Sequence, residues 1–340
     1  MKKNKKSVNR WESEAFESHE IAEQIFFDLK KNLKYSPHPY SAWRSNPNQK
    51  LKTIQINRNG LRNRDLDLQG HNLENCMLLG GSVAWGFGAS NNDNILSYQI
   101  EKILMEKYNK KINVINFAEQ MHSSHEELMT FISHLDEIKP KIVICFSGTN
   151  DINRGWDNFF KCTNLSTVSI NFFNKGSSLG IVNENNIIKF ILKTITRFYK
   201  KFKRIENEDF FFNKPNRDEI PIHLFKNKIE IINSICNSKK ISVMHVLQPD
   251  LILKKNKKLS EIDYINVLSE MRIEYFKKHI LILKEYLNSC QHTEKSDYIK
   301  YLDLTDVFND VDDVIFFDKA HITDKGYKIL SEKISKELQG

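Results

Sequence analysis

The stretch whose reading decides the fold is Cys76-Met77-Leu78-Leu79-Gly80-Gly81-Ser82-Val83-Ala84-Trp85-Gly86-Phe87-Gly88. Its apolar run is too short for a helix and is stopped by paired glycines, so it reads as a buried strand ending in a tight turn that carries Ser82. Apolar residues then recur at Ile95, Leu96, Ile100, Ile103, Leu104 and Tyr108, the spacing of one helix face. Strand, glycine-rich turn and helix in this order place Ser82 at the strand's C-terminal edge, where open α/β sheets take their ligands. On their own, glycines before a serine commonly do no more than supply turn geometry. The turn is not the G-x-S-x-G elbow, because Ala84 stands at the second glycine position. It is not a phosphate-binding loop either, because no Gly-Lys-Ser/Thr follows.

Working outward, residues 112–117 read as a second strand and 126–135 as its helix. The run Ile142-Val143-Ile144-Cys145-Phe146 is apolar without alternation, as expected of a strand covered on both faces. Further strands are expected at 241–247 and 301–304, and a last helix at 323–338. The alternation predicts a three-layer α/β/α sandwich built on a mostly parallel, doubly wound sheet. Residues 1–70 read as an N-terminal helical and extended appendage, with a helix across 12–33 and a strand in the alternating run 51–57. Residues 71–340 form the main domain. Within it, 156–225 is a phenylalanine-rich insertion, read as a lid or dimer surface. Its segment 187–202 pairs an apolar with a basic helix side, which leaves a membrane-surface role as the alternative.

The chain has 340 residues, 40% of them hydrophobic, enough for one large core. The basic N-terminus meets no apolar run, so neither a secretory leader nor a membrane span is read there, and a cytoplasmic protein is expected. Five cysteines (Cys76, Cys145, Cys162, Cys236, Cys290) lack any C-x-x-C pair and read as free thiols, with no structural metal. A net charge of +8 raises the question of an acidic partner, but the lysines are dispersed and no nucleic-acid module is recognisable. A solvated basic face is expected instead.

Two further segments carry chemistry. In Ser147-Gly148-Thr149-Asn150-Asp151 a glycine turn leads to an amide that can donate into a site beside Ser82, although an asparagine there also serves simply as a cap. In Asp318-Lys319-Ala320-His321 the spacing lets the carboxylate fold back on the imidazole and fix its tautomer, although such a pair also occurs as a plain surface contact. A metal site from Asp312, Asp313, Asp318 and His321 lacks a second histidine.

Gly80-Gly81-Ser82, then 116–124, then Gly148-Thr149-Asn150-Asp151, then Asp318-Lys319-Ala320-His321 resemble, in order, the four signature blocks of the SGNH hydrolases, or GDSL-type esterases. The similarity spans about 75 to 335. It implies Ser82 as nucleophile, His321 as general base, Asp318 as its orienting carboxylate, and an oxyanion hole from Ser82 N–H, Met121 N–H and the Asn150 amide. Gly81, Gly148 and Asp151 would support these loops, and no cofactor is implied. Met121 departs from the pattern, since it falls where the family has glycine. The expected activity is hydrolysis of a small acyl ester, such as acetate on a carbohydrate, through an acyl-enzyme. The alternatives are acyl transfer to a sugar hydroxyl and a non-catalytic binding module. The partner expected is a small-molecule or glycan ester, with a homo-oligomer open.

Overall fold

The computed structural model describes residues 9–64, 73–156 and 219–339. The expected insertion therefore lies almost wholly outside the described residues, as does Cys162. The N-terminal segment contains a 3₁₀ turn (Arg10–Glu12), helix α1 (His19–Phe27) capped by the Ser18 hydroxyl, and a wider turn (Asp28–Asn32). Two small antiparallel hairpins follow. The first pairs β1 (Tyr35–His38) with β2 (Ala42–Ser45), and the second pairs β3 (Gln49–Lys50) with β4 (Gln55–Ile56). The alternating run expected as one strand thus turns back on itself. Buried Asp28 is the reason, since its carboxylate accepts the Thr53 N–H and hydroxyl at 2.7 and 2.8 Å and pins the turn.

The main sheet has five strands, all parallel: β5 (Glu74–Gly80), β6 (Ile112–Asn116), β7 (Ile142–Ser147), β8 (Ser242–Leu247) and β9 (Ile299–Asp303), in the order β6-β5-β7-β8-β9. The chain passes from β5 to one neighbour and then crosses to the other, so the order reverses at β5. Crevices for ligands open at such reversals, beyond the strands' C-terminal ends.

Helices cover both faces. On one lie α3 (Leu96–Tyr108) and the final helix, together with the N-terminal segment; on the other lie α4 (Ser124–Ile138) and helices after the undescribed stretch. The central strands serve two cores by alternation. Cys76 and Leu78 face the first core and Met77 and Leu79 the second; Ile144 and Phe146 face the first and Val143 and Cys145 the second. This is why β5 and β7 carry no polar alternation. Helix α4 starts two residues before its expected position because Ser123 and Glu126 form a reciprocal capping box. After β7 the chain enters α5 (Thr149–Trp156) directly, so Asn150 sits in a helix's first turn rather than a loop. Among the described residues four more helices follow: α6 (Ile220–Lys239), α7 (Leu259–Asn266), α8 (Glu270–Thr293) and α9 (Asp324–Leu338). Among the described residues no helix is long and apolar enough to cross a membrane.

Candidate active site

Four chain segments meet at the C-terminal edge of the central strands. The first is the turn after β5. Gly81 caps a single helical turn, α2 (Ser82–Trp85), closed by Gly81 C=O accepting from Trp85 N–H at 2.9 Å and by Gly86 in the left-handed conformation. Ser82 opens that turn, so its own N–H has no partner within the helix. A side chain at Gly81 would displace the Asn150 amide: a Cβ would come within 2.2 Å of Asn150 Nδ2 and 3.1 Å of the His122 carbonyl.

The second segment is the loop between Ile315 and Thr323. An isolated antiparallel bridge from Phe316 to Ile322 closes it, and Phe317 N–H donates to His321 C=O at 3.1 Å. Inside it, Asp318 Oδ1 accepts the backbone N–H groups of Ala320 and His321 at 2.9 and 2.8 Å. Asp318 Oδ2 lies 2.7 Å from His321 Nδ1, and His321 Nε2 lies 2.7 Å from Ser82 Oγ. Serine, histidine and aspartate thus form one hydrogen-bonded chain from groups 239 positions apart. The Asp318 and His321 side chains are each 19% exposed, so the chain opens toward solvent while remaining largely enclosed. Burial alone would raise the Asp318 carboxyl. His321, the Arg10 guanidinium and the Ala320 N–H outweigh it and hold the carboxyl well below the usual range. With Nδ1 held against a carboxylate, Nε2 is free to accept the serine proton.

The third and fourth segments, the turn after β7 and the loop around Met121, carry N–H donors. Gly148 at φ +123° turns the chain out of β7, a conformation open to glycine and strained for other residues. Asn150 Nδ2 donates to the His122 carbonyl at 2.7 Å, leaving its second N–H for a ligand. Met121 adopts φ +62°, so the backbone keeps the left-handed conformation for which glycine is the ordinary choice, and the residue is 42% exposed.

The Met121 loop is fastened on both sides. Trp43 Nε1 donates to Gln120 C=O at 3.0 Å, and Glu119 Oε2 accepts Ser45 N–H and Oγ–H at 2.8 Å each. Arg154 bridges the Met121 carbonyl (3.1 Å) and Glu126 (2.9 Å), and the latter contact helps bring Glu126 down to about 2 despite burial. Asp151 is buried. Its Oδ1 accepts Ser124 N–H at 3.1 Å, tying α5 to the start of α4, while Oδ2 has no partner. Burial and then nearby Glu127 push it up to about 7. Behind it, buried Lys228 donates to Glu127 (3.0 Å) and Ser147 (2.7 Å).

Ser82, Asp318, His321, Asn150, Met121, Gly81, Gly148 and Asp151 therefore lie together in this cluster. Those missed are its fasteners: Arg10, Trp43, Ser45, Arg62, Arg154 and Lys228. Of these, buried Arg62 holds the end of the serine turn by donating to Gly86 C=O at 2.7 Å while stacking over Trp85. None stands in a local pattern, because the partners are 24 to 101 positions away, or 308 for Arg10. The acidic residues near the loop point elsewhere. Asp312 pairs with Lys258 and Asp313 with Lys325, so they do not join Asp318 and His321. A surface cleft of about 280 Å³ between the first hairpin and α4 is lined by Ser36, Arg44, Phe117 and His134. It contains none of Ser82, Asp318 or His321.

The chain matches the GDSL-like Lipase/Acylhydrolase family over residues 76–334. No curated protein matches it. Similar solved structures include the lipase/acylhydrolase from Enterococcus faecalis, at 14% identity and TM-score 0.42, covering 79% of this chain and 96% of that one. An acetylxylan esterase from Geobacillus stearothermophilus gives 10% identity and TM-score 0.44, over 78% and 94%. An acetyl xylan esterase, AlAXEase, gives 11% and 0.41, over 78% and 99%. The matched span starts on the strand that feeds Ser82 and runs past His321, and the chain belongs to the GDSL-like lipase/acylhydrolase family.

Proposed function

We propose that the protein is a serine esterase that removes a small acyl group, acetyl-sized, from a carbohydrate or related alcohol. The observation that carries the reading is the continuous Ser82–His321–Asp318 chain, with both contacts at 2.7 Å. Ser82 Oγ attacks the ester carbonyl carbon as its proton passes to His321 Nε2, and Asp318 steadies the imidazolium. The oxyanion accepts from Ser82 N–H, the free N–H of Asn150 and Met121 N–H. Collapse breaks the bond to the alkoxide, which takes the proton back from His321. Water then repeats the sequence on the acyl-enzyme and releases the acid. A small acyl group is supported by Met121, whose side chain stands where the family pattern leaves only a hydrogen.

The test is covalent labelling with a phosphonylating reagent, followed by acylated sugars as substrates. Stoichiometric labelling at Ser82, lost in Ser82→Ala, is expected, together with free acid detected by mass spectrometry. Labelling that persists in Ser82→Ala overturns the assignment. Acyl groups that move onto an added sugar acceptor instead of water would make the protein a transferase.

A further inference from the structure

The N-terminal turn touches the triad. Arg10 Nη1 donates to Asp318 Oδ2 at 2.5 Å, and this is the same oxygen that faces His321 Nδ1. The guanidinium is held there by rings, 5.0 Å from the centre of Trp11 and 5.3 Å from that of Phe87. Trp11 is buried against Phe16, Phe26 and Phe317, and Phe87 covers the His321 ring at 4.3 Å. One aromatic nest therefore fixes both the guanidinium and the imidazole. Arg10 lies outside residues 76–334, so nothing in the family match places it.

We propose that Arg10 is a positioning residue of the Ser82–His321–Asp318 unit, which makes the N-terminal turn part of the catalytic apparatus. This rests on the esterase reading above. Asp318 Oδ1 is fixed by two backbone N–H groups, and Arg10 supplies the matching restraint on Oδ2. It also tempers the charge that His321 faces. A lone carboxylate stabilises the imidazolium and so holds the proton on the base to higher pH, whereas a guanidinium on the same oxygen opposes this. Other titratable groups surround Asp318: Lys319 on its own loop, Lys30 in the N-terminal segment, Asp250 after β8, Tyr264 on α7 and Tyr327 on α9. Among the described residues only Arg10 and His321 pair with Asp318 directly.

The experiment is the pH profile of kcat/KM on p-nitrophenyl acetate for the full chain and for Arg10→Gln, Arg10→Lys and Ser82→Ala. Active enzyme is counted by phosphonylation and folding is checked by thermal melting. In Arg10→Gln the acidic limb is expected to move to higher pH by about half to one unit, because one ionic contact is lost. Arg10→Lys, which keeps the charge, is expected to return most of that shift. If glutamine disturbs the turn, Arg10→Met keeps the stem on Trp11 and is expected to show the same displaced limb. A limb that stays in place while amplitude or melting temperature falls marks a merely structural residue and overturns the proposal. Ser82→Ala that still hydrolyses the ester would instead remove the esterase reading, and the positioning role with it.

Discussion

Met121 holds a left-handed backbone that costs a residue with a Cβ roughly 1 kcal/mol, and glycine would remove that cost. Glycine also makes the unfolded chain freer by about the same amount. We therefore expect Met121→Gly to melt within a few degrees of the parent while its ester preference broadens from acetyl toward butyryl and octanoyl. An unchanged chain-length preference would show that the side chain filters nothing. At this scale the sequence was informative wherever a partner lies within a few positions. Asp318 and His321 are three residues apart, and Gly81 precedes Ser82. Arg10 was illegible because its role depends on where a loop more than 300 residues later comes to rest.

Among the elements, α5 presents Asn150 and buries Asp151 on its first turn, with one carboxylate oxygen unpartnered. Because Asp151 is pushed up to about 7, the folded protein holds a proton that the unfolded chain releases near pH 4. The sign follows: this contribution to stability is complete below about pH 4 and is lost as pH rises through about 7. Asp151→Asn lacks the linkage but keeps an oxygen for Ser124 N–H. The variant should therefore gain in melting temperature relative to the parent as pH goes from 5 to 8. Parallel melting curves across that range would contradict this. Strands β5, β7 and β8 were legible because burial on both faces forces near-continuous apolar runs, whereas the edge strands β6 and β9 keep polar residues such as Asn113 and Lys300; α4 was legible to within a capping box. Helices α6 and α8 were legible too, since Phe225, Ile229, Ile232 and Cys236 on the first and Phe276, Ile280, Leu283 and Leu287 on the second recur at helical spacing, although neither helix was among the expected elements.

On the scale of the molecule, the N-terminal segment is fastened to three of the four segments of the site: Arg10 to Asp318, Arg62 to the serine turn, Trp43 and Ser45 to the Met121 loop. It was expected as an appendage because its sequence carries no catalytic pattern, and only the packed structure reveals the anchoring. Trp11→Ala is predicted to destabilise the protein by about 3–5 kcal/mol, since a buried indole is replaced by a cavity among four rings. It should also lower turnover through Arg10. A variant with unchanged chemical denaturation would show the nest to be ornamental. The long span between these partners carries a consequence for how the protein is made. Ser82 leaves the ribosome more than two hundred residues before His321, and closing so wide a loop is slow. On the esterase reading, reactivity is acquired only when the loop that carries His321 has docked against the serine turn and Arg10.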